Sequence, residues 1–373
     1  MSFSTGFVAE GFEPVREAFE RNFAEDLEHG AAFSVFRGDD KVVELYRGWR
    51  DRELTLLWDA DTLSAMYSTT KPIMALVVAM LVDRGLLDYD RPVSGYWPEF
   101  GAEGKREFTL AQVLSHQCGI PGFLDPIDLE LWFNHAAIAS AIAKLKPMFR
   151  PGEGTGYHAL TPGYVAAELA LRVDGRTLGT ILREDVCVPL AIDYHIGTPA
   201  SEHGRIAEGL KPDGPPELGA INDTLRASFL MPWSMSGREQ PEWKTSEIPS
   251  ANGFGTATGT AHLMSTYALK GRIGERRLIS ESTWQALTRE RVSGADRIQP
   301  GLIGFAAGLQ RNTQPALFGP NPNTIGQTGW GGSAAFADPD AGVSAAYLMN
   351  RKGTHLFADH RRTRLIDGLY SCL

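Results

Sequence analysis

The first fifty residues carry apolar positions in two different periods. From 12 to 27, apolar residues recur at steps of three and four, which predicts an amphipathic helix that ends near Gly30. The apolar stretch 31–36 is followed by Gly-Asp-Asp at 38–40 and by a second apolar-rich stretch, 42–46. Two such stretches around turn-forming residues predict a β-hairpin.

The C-terminal end predicts a second hairpin. Residues 333–337 and 343–349 are apolar-rich, and Asp-Pro-Asp-Ala-Gly at 338–342 separates them. Asp, Pro and Gly in such a cluster are typical of a tight turn. A final helix is predicted over 359–370. Because both chain ends contribute strands, we expect them to join in one antiparallel sheet.

The middle of the chain predicts helices and one long loop region. Residues 72–86 are apolar nearly all round, which indicates a helix that is buried on most faces. Shorter helices are predicted at 110–115, 136–145 and 162–172. Residues 198–252 are rich in Pro and Gly and predict mostly loop, and loops of this length in compact proteins are often functional.

Composition and charge exclude several classes of protein. The chain has 373 residues, of which 43% are hydrophobic, as in an ordinary globular protein. The balance of 36 basic against 45 acidic residues gives a net charge of −9, which argues against a nucleic-acid partner. Three cysteines without a CxxC pair predict neither a disulfide framework nor a zinc site. The N-terminal residues Met-Ser-Phe-Ser-Thr-Gly-Phe lack the basic segment and apolar run of a secretory signal, and the longest apolar run, 73–82, is too short for a bilayer. We therefore expect a cytoplasmic protein with no membrane partner.

Common catalytic motifs are missing from the sequence. It contains no Gly-x-Ser-x-Gly, no His-Glu-x-x-His and no phosphate-binding Gly-x-x-x-x-Gly-Lys. The glycines at 253, 255 and 259 have the wrong spacing for a dinucleotide-binding loop, and we interpret 253–255 as a turn. No metal or organic cofactor is expected.

The first candidate motif is Ser68-Thr69-Thr70-Lys71, the only Ser-x-x-Lys in the chain. It lies where a non-helical stretch enters the apolar helix, and Pro72 suits the first helical turn. Ser68 and Lys71 are three residues apart and so project from the same face, where a lysine amine can activate a serine hydroxyl. The alternative is that Ser68 only caps the helix and Lys71 is a solvated charge.

The second candidate is Tyr157, which follows a glycine-rich turn and precedes a predicted helix. A phenol beside a lysine ammonium can be pushed toward phenolate and could then take the proton of a serine. The alternative is an aromatic residue packed in a loop.

The third candidate is the segment 326–333, Gly-Gln-Thr-Gly-Trp-Gly-Gly-Ser, before the C-terminal hairpin. We expect it on or beside an edge strand, where glycines let a substrate approach the backbone. One of its N–H groups and that of Ser68 could then form an oxyanion hole. The alternative is a glycine-rich β-turn.

Together these three elements resemble the serine β-lactamase and penicillin-binding-protein superfamily. The likeness is stronger to its class C-like branch, and there to the family VIII carboxylesterases. It runs over most of the chain, and four further segments share it in the expected order: 87–93, 96–100, 114–121 and 151–153. The resemblance implies an α+β, β-lactamase-like fold. In that fold a sheet domain (1–66 and 265–373) packs on a mainly helical domain (67–264), with the site in the cleft between them.

The resemblance also implies roles for single residues. Ser68 would be the nucleophile, Lys71 its activator and Tyr157 the catalytic tyrosine. The remaining implied positions belong to the third motif. Gln327 occupies the position of the lactamase lysine, and Trp330, Gly331 and Gly332 correspond to the esterase Trp-Gly-Gly. The second oxyanion N–H would be that of Trp330, with Ser333 as the other candidate.

Two departures from the lactamase pattern bear on the substrate. Ala159 stands where lactamases have an asparagine, and Gln327 replaces a lysine that would hold the lactam carboxylate. Both changes favour a neutral ester, and Trp330 adds an apolar wall that suits a short acyl group.

Other side chains near these motifs are weaker candidates for contacts with substrate. His116, His158, Trp233 and Ser333 are possible substrate contacts, although structural roles are the simpler interpretation for the two histidines and Trp233.

The sequence thus predicts a serine carboxylesterase that hydrolyses short-chain acyl esters through an acyl-enzyme on Ser68. Its partner would be a small-molecule ester. Two alternatives remain open: a β-lactamase, amide hydrolase or transacylase on the same scaffold, and a ligand-binding module without catalysis.

Overall fold

The largest element of the protein is an antiparallel sheet of nine strands. The structure, a computed structural model, describes residues 4–215, 218–234, 241–313, 317–355 and 359–373. The strands in chain order are β1 (Thr5–Val8), β2 (Gly30–Arg37), β3 (Asp40–Gly48), β4 (Ser64–Ala65), β5 (Tyr194–Ile196), β6 (Gly253–Gly255), β7 (Arg272–Ile273), β8 (Arg276–Arg277), β9 (Val292–Ala295), β10 (Leu302–Phe305), β11 (Gln310–Arg311), β12 (Ile325–Thr328), β13 (Ala334–Asp338) and β14 (Val343–Met349). The nine-stranded sheet has the order β1-β3-β2-β14-β13-β12-β11-β10-β9.

Helices cover both faces of this sheet and form a second layer beside it. They are α1 (Glu13–Ala24), α2 (Lys71–Asp83), α3 (Leu110–Leu114), α4 (His135–Ala143), α5 (Thr161–Asp174), α6 (Leu178–Leu182), α7 (Val188–Leu190), α8 (Asp223–Leu225), α9 (Pro241–Thr245), α10 (Ala257–Ala268), α11 (Glu281–Thr288) and α12 (His360–Tyr370). The terminal helices α1 and α12 pack on each other over one face, and α10 packs on β2, β13 and β14 from the other.

The predicted terminal hairpins and the α+β class are confirmed. β2 pairs with β3, and β13 pairs with β14 around the predicted turn. β14 also pairs with β2 along its whole length, so strands from the two chain ends lie side by side in the middle of the sheet. Both predicted terminal helices are present, but α1 ends at Ala24, earlier than the predicted end near Gly30, where β2 already begins.

Helix α2 is the centre of the second layer. All of its residues from Lys71 to Leu81 are buried, as its apolar composition predicts. Pro72 lies in the first turn, where a missing N–H breaks no helical hydrogen bond. The predicted helices α3, α4 and α5 are also present, and α4 and α5 pack on each other.

The interpretation of residues 253–255 as a turn is wrong. They form β6, the middle strand of a small sheet with the order β4-β6-β5. Glycine is required there by packing, because a Cβ at Gly253 would lie 2.8 Å from the hydroxyl of Thr70, and one at Gly255 would lie 2.6 Å from the ring of Tyr194.

Two further features bear on the expected organisation. The expected boundary between 264 and 265 falls inside α10, which packs as a unit on the large sheet. The region 198–252 is irregular with short helical turns. Its residues 216–217 and 235–240, which hold part of the Pro-rich composition, lie outside the described residues. Within the described ranges, the helices are all too short or too polar to cross a membrane.

Candidate active site

Ser68 lies on a single 3₁₀ turn, Tyr67–Thr70, which leads directly into α2. It is partly exposed, whereas its neighbours on both sides are buried. The N-cap of α2 is Thr70, so Ser68 does not have the capping role of the alternative interpretation. Tyr67 has a φ of 48°, in the left-handed region that non-glycine residues rarely adopt, and such strain often occurs at functional sites.

The amine of Lys71 has three oxygen neighbours. Its Nζ lies 2.7 Å from the carbonyl oxygen of Ala159, 3.0 Å from that of Ser250 and 3.2 Å from Ser68 Oγ. The predicted pairing of Ser68 with Lys71 on one helical face is therefore present. The two carbonyls come from distant parts of the chain, so tertiary packing completes the environment of the amine.

Burial lowers the pKa of Lys71 well below the usual range of a lysine amine. No carboxylate is among its hydrogen-bond partners in the described part of the chain. A neutral amine fits these contacts, since its two N–H groups can donate to the two carbonyls. In that state its lone pair would be directed at the Ser68 hydroxyl, 3.2 Å away, as a general base requires.

Tyr157 is buried beside this pair. Lys71 Nζ lies 4.8 Å from the centroid of its ring, and the Ser68 hydroxyl is close enough to lower its pKa slightly. Burial has the larger effect and raises the pKa of Tyr157 above that of a free phenol. The expectation that Lys71 drives Tyr157 toward phenolate is wrong, because the amine lies over the ring and is itself disfavoured as a cation. The phenol thus stays protonated, and among the described residues its hydroxyl makes no hydrogen bond of ordinary geometry.

His158 and His116 hold the backbone around Tyr157. His158 Nε2 accepts from the N–H of Ile120 at 2.8 Å, and its Nδ1 donates to the carbonyl of Gly156 at 2.5 Å. The N–H of His158 in turn donates to Nδ1 of His116 at 3.1 Å. Burial lowers the pKa of His158 to about 3 and that of His116 well below its usual value, so both imidazoles are neutral. These contacts fit the structural interpretation, and binding of substrate by either residue stays a prediction.

The third motif reaches Ser68 from the large sheet. Ser333 Oγ lies 3.0 Å from Thr69 Oγ1 and 3.2 Å from the carbonyl oxygen of Met66, so it touches residues on both sides of the nucleophile. Gly329 lies in the same place, and a Cβ there would come within 2.7 Å of Thr69 Oγ1. These close contacts explain why a small residue is needed at Gly329.

The strand that carries the start of the motif is not the outermost strand of the sheet, where an edge strand was expected. Gln327 lies on β12, an inner strand by order, although β11 pairs only with its first two residues. Its buried side-chain amide donates to the carbonyl of Thr328 at 3.3 Å. Trp330 lies beyond the strand, in the turn to β13. In the described part of the chain, the N–H groups of Trp330 and Ser333 both have no acceptor, so both remain candidates for an oxyanion hole.

The two glycines of this turn pack on a buried ion pair. The carbonyl of Gly331 accepts from Arg361 Nη2 at 2.9 Å and from the N–H of Gly353 at 2.8 Å. Arg361 also pairs with Asp359 at 2.6 Å. Gly332 has a φ of 118°, and a Cβ there would strike both side chains. The two glycines therefore allow the turn to pack closely on Asp359 and Arg361, at the C-terminal helix α12.

Trp233 is the candidate that the structure does not tie to the catalytic groups. Its indole N–H donates to the carbonyl of Phe123 at 2.8 Å, and its own carbonyl accepts from Trp132 Nε1 at 2.9 Å. The proposed contact of Trp233 with substrate stays a prediction.

Sequence reasoning missed several contributors from distant segments. Ser250 supplies only a backbone carbonyl, which leaves no signal in the sequence. Asp296 accepts from the N–H of Tyr157 at 3.2 Å, and Ser228 and Phe229 contact the same residue from the loop region 198–252. The length of that loop was the one available signal.

The sequence of the chain is similar to those of known proteins. The Beta-lactamase family matches residues 19–369. The chain is 31% identical over 361 residues to "Esterase/beta-lactamase LipL" from Mycobacterium tuberculosis, which covers 91% of this chain and 81% of the relative.

Solved structures are similar over the full length of the chain. A penicillin-binding-protein homologue from Caulobacter crescentus superposes with a TM-score of 0.97 at 45% identity, covering all of both chains. A family VIII carboxylesterase superposes with a TM-score of 0.92 at 37% identity, again over all of both chains. The chain therefore belongs to the beta-lactamase family and is a hydrolase with that family's fold.

Proposed function

We propose that this protein is a serine carboxylesterase of the family VIII type, which hydrolyses short-chain acyl esters through an acyl-enzyme on Ser68. The observation that carries the proposal is the environment of Lys71. This amine is buried, its pKa is lowered, and it has two carbonyl acceptors for its N–H groups. In the neutral state its lone pair is left for Ser68 Oγ, so the amine is suited to take the serine proton.

The mechanism follows from the protonation states. Lys71 takes the proton of Ser68 as Oγ attacks the ester carbonyl. The oxyanion is held by the N–H of Ser68, which is in the first turn of its helix and free of an intrahelical acceptor, and by a second backbone N–H. For that second donor we favour Ser333 over Trp330, since the Ser333 side chain touches residues on both sides of Ser68.

Tyr157 is suited to be the general acid. Its pKa is raised by burial, so it holds a proton at neutral pH and can give it to the departing alkoxide. The alcohol then leaves, with Tyr157 now a phenolate and Lys71 an ammonium. In deacylation the phenolate takes a proton from the attacking water, and Lys71 returns its proton to Ser68 Oγ as the acyl group is released.

The choice of an ester rests on the polar groups near the nucleophile. Ala159 offers no amide, and the Gln327 side chain is buried against its own strand rather than replacing the lactamase cation. Relatives named as esterases support the same choice.

The test is turnover of p-nitrophenyl acetate and butyrate by the wild type and by Ser68→Ala, with Ser64→Ala as the matched control. Ser64 is four residues upstream and donates only to the carbonyl of Met349. We expect ester turnover and one phosphonate adduct on Ser68 in the wild type, the same in Ser64→Ala, and neither in Ser68→Ala. Full turnover by Ser68→Ala would disprove the proposal.

A β-lactam is the second candidate substrate. The relative named "Esterase/beta-lactamase LipL" supports it. Lys352 also supports it, because a cation near the nucleophile can hold the lactam carboxylate. Its Nζ lies 5.0 Å from the centroid of the ring of Tyr67, the residue before the nucleophile. Nitrocefin turnover that exceeds ester turnover, and that falls selectively in Lys352→Gln, would move the assignment to this candidate.

A further inference from the structure

A π-helical turn, Arg226–Leu230, brings part of the long loop region to the catalytic residues. Such turns are rare and are frequently found at functional sites. The turn is anchored just before its start, because the side chain of Asn222 caps α8 through the N–H of Leu225 and donates to the carbonyl of Arg297 at 2.6 Å. It is therefore a held element of the site rather than a free segment.

The turn places the ring of Phe229 near two other aromatic rings. Phe229 lies parallel to Tyr157, with centroids 6.2 Å apart and an interplanar angle of 4°. It also lies nearly parallel to Trp330, with centroids 5.8 Å apart and an interplanar angle of 18°. Three stacked rings thus run from the catalytic phenol to the turn of the third motif.

The outer part of this stack is accessible to a ligand. Tyr157 is buried, but Phe229 and Trp330 are both partly exposed. Phe305, which stacks on Tyr157 at 6.4 Å, is fully buried and so belongs to the core. A partly exposed flat apolar surface beside a nucleophile binds flat apolar groups best, since aromatic pairs gain more than their buried area alone provides.

We propose that Phe229 is a specificity-determining residue, and that with Trp330 it forms a binding face for an aromatic group of the ester. Esters that carry an aromatic ring are then preferred over esters with a saturated ring of the same size. The inference rests on the proposed esterase function and names its substrate class. The ring can belong to the acyl or to the alcohol half of the ester, and the experiment distinguishes the two.

The experiment compares kcat/KM within two matched pairs of substrates. p-Nitrophenyl phenylacetate against p-nitrophenyl cyclohexylacetate tests the acyl half with a constant leaving group. Benzyl acetate against cyclohexylmethyl acetate tests the alcohol half with a constant acyl group. We expect the aromatic member of at least one pair to be preferred about three- to tenfold, and the pair that responds identifies the half that is bound.

Variants then assign the preference to the stack. In Phe229→Leu the ratio within the responding pair should fall toward one, and any general loss of activity cancels in that ratio. Trp330→Phe keeps a ring and should retain part of the preference. Phe305→Leu is the control, because it disturbs the packing of Tyr157 without removing an exposed ring; it should slow both members of a pair alike.

The failures can be told apart. Hydrolysis of all four esters with ratios near one, or a ratio that survives Phe229→Leu, would overturn the inference and leave the esterase proposal standing. Absence of turnover with every ester, together with an unlabelled Ser68, would overturn the esterase proposal itself.

Discussion

Removal of one hydroxyl, in Ser228→Ala, tests whether the loop region positions Lys71, the proposed catalytic base. Ser228 is buried in the π-helical turn, and its hydroxyl donates to the carbonyl of Tyr157 at 3.1 Å. The same oxygen accepts from the N–H of Ala159 at 3.3 Å. Because the carbonyl of Ala159 holds the amine of Lys71, this hydroxyl acts on the base through a single residue.

The expected cost follows from the groups left without a partner. Tyr157 and Ala159 are both buried, so the substitution leaves one carbonyl and one N–H unpaired away from water. An orphaned buried group costs about 1–3 kcal/mol, and these two bonds are long, so we expect a loss of about 2–3 kcal/mol in the free energy of unfolding. A displacement of Lys71 by about 1 Å can cost on the order of 100-fold in rate, and we expect kcat to fall about ten- to a hundredfold with little change in KM.

The assay combines urea unfolding with the pH dependence of ester hydrolysis. Loosening of the site admits water to Lys71, so the acidic limb of the pH–rate profile should move to higher pH, toward the ordinary value for a lysine. Ser234→Ala is the control, since that buried hydroxyl donates to Ala227 of the same turn through one bond of 3.4 Å. It should lose about 1 kcal/mol or less and keep its pH profile.

The reasoning would be refuted by a Ser228→Ala protein that is destabilised but keeps the wild-type kcat and the wild-type acidic limb. Ser228 would then support the fold alone, and Lys71 would be positioned without it.

Three other predictions address the base, the glycine turn and the buried carboxyl group. Lys71→Met should lower kcat/KM by about 10²–10⁴-fold, and the wild-type rate should rise with pH through an ionisation well below that of a free lysine, measured from pH 5 to 10; a flat wild-type profile contradicts this. Gly332→Ala should cost about 1–3 kcal/mol and lower activity, because its Cβ strikes the Asp359–Arg361 pair, and an unchanged melting temperature would contradict it. Burial raises the pKa of Glu28 from 4.5 to about 7, so the folded state holds a proton that the unfolded state releases, and stability falls as pH rises between these values. In Glu28→Gln this loss, at most about 3 kcal/mol, should be absent when unfolding free energies at pH 5 and pH 8 are compared; an equal pH dependence in both proteins would refute it.

Much of the fold is predictable from local patterns because its elements are amphipathic. The hairpins β2–β3 and β13–β14 follow from apolar stretches around turn residues, and α2 follows from its apolar run. The strand β6 escapes such reasoning, since glycines are read as turn formers and only the ring of Tyr194 packed against them explains their presence in a strand.

The sequence by itself determined which side chains can carry the chemistry. The spacing of Ser68 and Lys71 places them on one helical face whatever surrounds the helix, and the order of the three motifs is enough to indicate the family. Composition likewise sets the net charge, which argues against a nucleic-acid partner.

The tertiary structure alone decided how those side chains are tuned. Burial, which no local pattern measures, lowers the pKa of Lys71 and raises that of Tyr157, and on this difference rests the proposal of Lys71 as base and Tyr157 as acid. The carbonyls of Ala159 and Ser250 and the ring of Phe229 reach the site from positions up to 182 residues away from Ser68 in the chain, counted from 68 to 250. Such contacts depend on packing between distant segments. Every residue type has a backbone carbonyl, so the sequence cannot indicate which carbonyl reaches the site.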